Sequence, residues 1–144
     1  MVKMMNKRTV SAEERKNVIT VLSELLSKDD KILFAYLHGS FVAKEKFNDL
    51  DIAIYFKDMT VAEMLDYELK LEDRIEKILR IPIDLKSLNN APVTFCYMVI
   101  KKGVKVIVND DKSRVDFEMS TYRNYFDFQP HRRRYLQEVL NVRL

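Results

Sequence analysis

The sequence predicts an α/β domain, on three observations. Stretches of helical periodicity alternate with short apolar runs of strand length along the chain. Two helical stretches open on capping boxes, Ser11 with Glu14 and Thr60 with Glu63. Over residues 50–56, apolar and polar positions alternate with the period of a strand.

Taken in order, Val18, Val21, Leu22, Leu25 and Leu26 line one face of a first helix that ends at the polar turn 28–31. Residues 32–37, ILFAYL, form a continuous apolar run, the pattern of a strand covered on both faces. Gly39 stops it. Leu50, Ile52, Ile54 and Phe56 share one face of the next strand, and Asp49, Asp51, Ala53 and Tyr55 share the other. A helix from Thr60 is expected to bury Val61, Met64, Leu65, Leu71, Ile75, Ile78 and Leu79, with Pro82 marking its end. Residues 83–88 read as a third strand, with Ile83 and Leu85 on one side and Asp84 on the other. Asn89 and Asn90 turn the chain into a helix with Pro92 at its first position and Gly103 just past its end. A β-branched strand follows at 104–108. A helix over about 112–126 is expected to bury Val115, Met119, Tyr122 and Phe126, and Pro130 should begin a last one carrying Leu136, Val139 and Leu140.

Composition narrows the function classes. The 144 residues are 47% hydrophobic and 33% charged, which excludes a disordered chain and suits one domain with its own core. Cys96 is alone, so an internal disulfide is excluded and a reducing, cytoplasmic setting is expected. The basic N-terminal residues precede no apolar run of the secretory kind, and 32–37 is far too short to span a membrane. A net charge of +3 does not by itself imply nucleic acid.

The stretch 37–56, LHGSFVAKEKFNDLDIAIYF, carries the chemistry. Carboxylates at i and i+2 of a strand project together and repel unless a cation lies between them; magnesium is commonly held by such carboxylates together with substrate phosphates. Asp84 offers a third carboxylate, and three would suit a two-metal site. Gly39 lets backbone approach a phosphate closely, and the Ser40 hydroxyl can add a hydrogen bond. His38, at the end of a strand, reads as structural. A calcium loop is a poor rival, since the EF-hand glycine and distal glutamate are missing.

GSF at 39–41, DLDIAIYF at 49–56 and PIDL at 82–85 resemble the minimal nucleotidyltransferases of the DNA polymerase β superfamily, and NNAP at 89–92 extends the likeness. The resemblance implies a polymerase β-like nucleotidyltransferase fold, a mixed β-sheet flanked by helices. It also implies one domain over 1–144 with a C-terminal helical segment from about 110. Carried over residue by residue, it places NTP phosphates at Gly39 and Ser40, Mg²⁺ at Asp49, Asp51 and Asp84, and activation of the acceptor hydroxyl at Asp84. Many relatives carry an arginine and a second glycine in the loop where this chain has VAKEK, so Lys44 or Lys46 is expected to substitute as a phosphate ligand. Among the superfamily, the small members resemble antitoxins of HEPN/MNT pairs, which transfer AMP from ATP to a tyrosine of the partner ribonuclease.

Two other readings stay open at this point: a binding antitoxin that works by contact alone, and a nucleotidyltransferase acting on RNA or a small molecule. Arg132, Arg133 and Arg134, with Arg123 and His131, form the densest basic patch. A solvated helix surface accounts for it, as would an acidic partner, the triphosphate or RNA.

Overall fold

The structure, a computed structural model, describes residues 8, 9 and 11–140. Its elements in chain order are β1 (Arg8–Thr9), α1 (Ala12–Ser27), β2 (Ile32–His38), α2 (Ser40–Ala43), β3 (Lys46–Phe47), β4 (Leu50–Phe56), α3 (Val61–Leu79), β5 (Ile83–Ser87), α4 (Val93–Lys102), β6 (Val104–Val108) and α5 (Asp111–Leu140). The α/β class and the mixed sheet flanked by helices are as the sequence reads. Both capping boxes form, with Ser11 and Thr60 as N-caps. Pro92 is the N-cap of α4 rather than its first helical residue.

Four strands make the main sheet in the order β5-β4-β2-β6. β5 runs parallel to β4, while β2 is antiparallel to both of its neighbours. β1 and β3 form a separate two-stranded antiparallel pair, which no hydrophobic pattern announces because each strand has two residues.

Both faces of the main sheet are covered. On one side Leu22 and Leu26 of α1 and Met64, Leu71 and Ile75 of α3 pack on Ile52, Ile54, Leu85 and their neighbours. On the other, Cys96 and Val99 of α4 join Phe34, Tyr36 and Ala53, with Phe117 of α5 against them. β2 is accordingly buried along almost its whole length, as the run ILFAYL predicts. A register shift between Ile32 and Phe34 puts Ile32 on the same side as Ala35 and Leu37. Truncating a fully buried aliphatic such as Ile52 would cost about 2–5 kcal/mol.

Asn89 completes the sheet past the end of β5. Its side chain donates to the Phe56 carbonyl at 2.8 Å and accepts from the Phe56 N–H at 2.9 Å, as the next residue of a strand would. Gly103 follows α4 where a Cβ would lie 2.4 Å from the Val99 carbonyl oxygen, so the chain can turn tightly into β6.

The helices depart from expectation in three further respects. On α3, Val61, Leu65 and Ile78 are exposed although they keep helical spacing with the buried residues. The stripe facing the sheet is narrower than the apolar one. On α5, Val115, Met119 and Phe126 are exposed; the face turned to the sheet instead carries Phe117 and Thr121. Tyr122 and Phe126 meet Tyr97 of α4, and Tyr97 stacks on Tyr125 at 3.7 Å. Finally, 111–140 is one helix and not two. Proline removes one backbone hydrogen bond there, but its fixed φ is itself helical, and the helix continues through Pro130. Arg133 and Arg134 are exposed on it, whereas the side chains of His131, Arg132, Leu136, Val139 and Leu140 lie outside the described residues.

Candidate active site

The site grows from two strand ends and one turn. β2 ends at His38, and Gly39 adopts φ 76°, ψ −155°, a conformation open in practice only to glycine. This turns the chain into the single helical turn α2. Val42 and Ala43 donate to the Gly39 carbonyl, so the N–H groups of Ser40 and Phe41 precede the first bond of that turn.

The loop returning to β4 is fastened from α1. The guanidinium of Arg15 donates to the carbonyls of Phe41, Lys44 (2.7 Å) and Glu45 (3.1 Å) and lies 4.9 Å from the centre of the Phe41 ring. Phe41 in turn packs edge-on against Phe47, and both are buried. Lys44 caps α2 and Lys46 belongs to β3; both side chains are exposed. In the sequence Arg15 is indistinguishable from an ordinary solvated basic residue in the first turns of a helix, because the carbonyls it reaches lie far along the chain.

Strand pairing sets the carboxylates. Asp51 of β4 is the register partner of Asp84 on β5 and of His38 on β2, so the three stand in a row across the sheet. Asp49 sits in the bend just before β4, not on the strand, yet its carboxylate joins the others. One oxygen from each of Asp49, Asp51 and Asp84 lies within 4.8 Å of the other two, and all three residues are half-buried.

Electrostatics follow from that crowding. Burial, then the charges of Asp49 and Asp84, push the Asp51 carboxyl up from 3.8 to about 7. Burial also lowers the pKa of His38, against the opposing pull of Asp84 and Asp49, and its ring meets Phe95 edge-on at 5.5 Å. Lys86 brings one positive charge, its Nζ 3.9 Å from Asp84 Oδ2 and 6.0 Å from the centre of the Phe95 ring. Lys86 shares the face of Asp84 by strand alternation, a signal the sequence does carry, whereas only the packing of α4 brings Phe95 there.

Three carboxylates this close, one of them resisting ionisation, are a donor set suited to a hard divalent cation with oxygen ligands. A cavity of about 750 Å³ opens elsewhere, at the far end of β4 between Tyr55, Asn89, Asp116 and Phe117, and includes none of the three aspartates. That hollow is separate from the half-buried acidic corner.

The family described as Polymerase beta, Nucleotidyltransferase matches residues 21–112, more than half of the chain. The chain belongs to the polymerase β nucleotidyltransferase family. The matched segment of this nucleotidyltransferase carries Gly39, Ser40 and all three aspartates. No curated protein matches the chain. Among solved structures, one similar chain comes from a tri-AMPylated Shewanella oneidensis HEPN toxin in complex with its MNT antitoxin. The match has a TM-score of 0.68 at 21% identity and covers 88% of this chain and 98% of that one. A second is from the toxin–antitoxin MntA-HepT, with TM-score 0.67, 21% identity and 87% and 98% coverage. A third is from a toxin–antitoxin structure with AMP-PNP, with TM-score 0.66, 22% identity and 87% and 98% coverage. At these identities the likeness establishes the shared fold. Among the described residues of this nucleotidyltransferase, no helix is long and apolar enough to cross a membrane.

Proposed function

We propose that the chain is a Mg²⁺-dependent protein adenylyltransferase that moves AMP from ATP onto a tyrosine hydroxyl of a HEPN-type ribonuclease and so serves as its antitoxin. The observation that carries this reading is the meeting of Asp49, Asp51 and Asp84 within 4.8 Å, beside a glycine turn, in a nucleotidyltransferase-family chain. The HEPN–MNT complexes among similar folds support the partner, and the one with AMP-PNP supports the nucleotide. The chain acts as one nucleotidyltransferase domain, in the cytoplasm.

Asp49, Asp51 and Asp84 would hold the metal, which when bound neutralises phosphate charge and organises the triphosphate. Gly39 shapes the turn and leaves room for the Asp51 carboxylate, Ser40 offers its hydroxyl and N–H to phosphate oxygens, and Lys44 and Lys46 add positive charge. Asp84 takes the proton from the acceptor hydroxyl as its oxygen attacks the α-phosphorus. A phosphate ester bond forms, the bond to the β-phosphate oxygen breaks, and pyrophosphate leaves. Lys86, beside Asp84, favours negative charge on the attacking oxygen.

The test combines the purified chain with its co-expressed HEPN-type partner, Mg²⁺ and α-labelled ATP. Label on the partner is expected, and its loss in the Asp49→Asn, Asp51→Asn double variant. Absence of label, or equal label from the double variant, sinks the proposal. A double variant that still silences the partner in cells points instead to neutralisation by contact.

A further inference from the structure

β5 is the end strand of the main sheet, and alternate residues of a strand direct their N–H groups to opposite sides. Residues 83, 85 and 87 therefore face away from β4. Such an open edge normally needs covering. Here it is covered by side chains of α3: Glu68 accepts from the Ser87 N–H at 2.8 Å, Glu72 from the Leu85 N–H at 2.9 Å, and Glu76 from the Ile83 N–H at 3.3 Å.

The spacing explains how one helix can do this. Four helical residues advance about 6 Å, and two strand residues advance about 6.6 Å. Glutamates at i, i+4 and i+8 thus keep step with every second N–H of a strand running the other way. Each carboxylate gives an acceptor where a neighbouring strand would have given a carbonyl.

Two of these bonds flank one residue, since Ile83 and Leu85 are the neighbours of Asp84. We propose that Glu72 and Glu76 are positioning residues for Asp84, fixing the backbone on either side of it so that its carboxylate meets those of Asp49 and Asp51. A like arrangement of glutamates on a helix reads in sequence as a solvated face, and only the path of β5 beneath it gives them this task. The inference rests on the metal-site reading above.

The experiment titrates Mn²⁺, followed by its electron paramagnetic resonance signal, into the full chain without nucleotide, alongside thermal melts. Glu72→Ala and Glu76→Ala are expected to weaken Mn²⁺ binding roughly ten-fold, the range seen when supporting residues of a metal site are removed. Glu72→Gln, which keeps an acceptor oxygen, should restore most of it. Glu68→Ala removes an equivalent bond at the far end of β5, so it should lower the melting temperature comparably while leaving Mn²⁺ binding unchanged. Should Glu72→Ala not fold, Glu76→Ala, which loses the longest of the three bonds, carries the test. Binding undiminished in both alanine variants, or weakened as much by Glu68→Ala, overturns the inference alone. No binding by the unsubstituted chain overturns the metal reading and this inference with it.

Discussion

A Cβ on residue 39 would stand 2.1 Å from Asp51 Oδ2, so the missing side chain of Gly39 is the space in which the Asp51 carboxylate sits. Backbone and site impose the same requirement, because φ 76° with ψ −155° already excludes other residues. Gly39→Ala is expected to cost about 1–3 kcal/mol in backbone strain and to displace Asp51 as well. Chemical denaturation measures the first effect, and Mn²⁺ titration the second. A variant with native stability and native metal affinity would contradict the geometry.

Asp51 gives a pH signature. Its folded-state pKa, about 7, lies above its ordinary 3.8, so between those values the folded protein holds a proton that the unfolded chain has lost. Without metal, stability therefore falls as pH rises from about 4 to about 7. Asp51→Asn should be more stable than the unsubstituted chain at pH 8 in chelator, by on the order of 1 kcal/mol after allowing for solvent screening of a half-buried carboxylate. Below pH 4 the difference should vanish. Adding Mg²⁺ at pH 8 should raise the melting temperature of the unsubstituted chain only.

Kinetics of Asp84→Asn test the proton-accepting role proposed for Asp84. On the proposed role of Asp84 as acceptor of the hydroxyl proton, Asp84→Asn should lower kcat by roughly 10²–10⁴-fold, more than it raises KM for ATP. Steady-state transfer of labelled AMP gives both constants. A variant altered mainly in KM would assign Asp84 to nucleotide binding alone.

Arg15 holds the loop that carries Lys44, with bonds to three carbonyls spread over residues 41–45. Arg15→Ala should cost about 1.5–3 kcal/mol, the range for hydrogen bonds to a charged group. It should also raise KM for ATP more than it lowers kcat. Arg15→Lys should recover only part, because one ammonium cannot span carbonyls that a planar guanidinium reaches together. Melting curves and ATP kinetics on the three proteins decide it.

What was legible in the sequence was local. Capping boxes announce themselves through residues three apart, β4 through its strict alternation, and β2 through an unbroken apolar run, so α1, α3, β2 and β4 fall where the pattern puts them. Asp51 takes its face from that alternation, whereas Asp49 lies in the bend before β4 and meets it from there. β1 and β3 carry no such signal, since two-residue strands exist only through each other.

Side-chain partners distant in sequence were decided by the tertiary structure. α5 offers an apolar stripe at Val115, Met119 and Phe126, but the contact with Phe34 and Tyr55 turns Phe117 inward, and that stripe is left outside. Asp84 could be suspected as a third carboxylate, but only the register of β5 against β4 sets it opposite Asp51. Strand alternation puts Lys86 on the face of Asp84, but only that register carries the pair to Asp51 of β4, and α4 brings Phe95. Periodicity fixes which way a residue faces within its own element because the repeat is built into the backbone. How elements slide and rotate against one another depends on packing free energy summed over the whole core, and no short window of residues contains that sum.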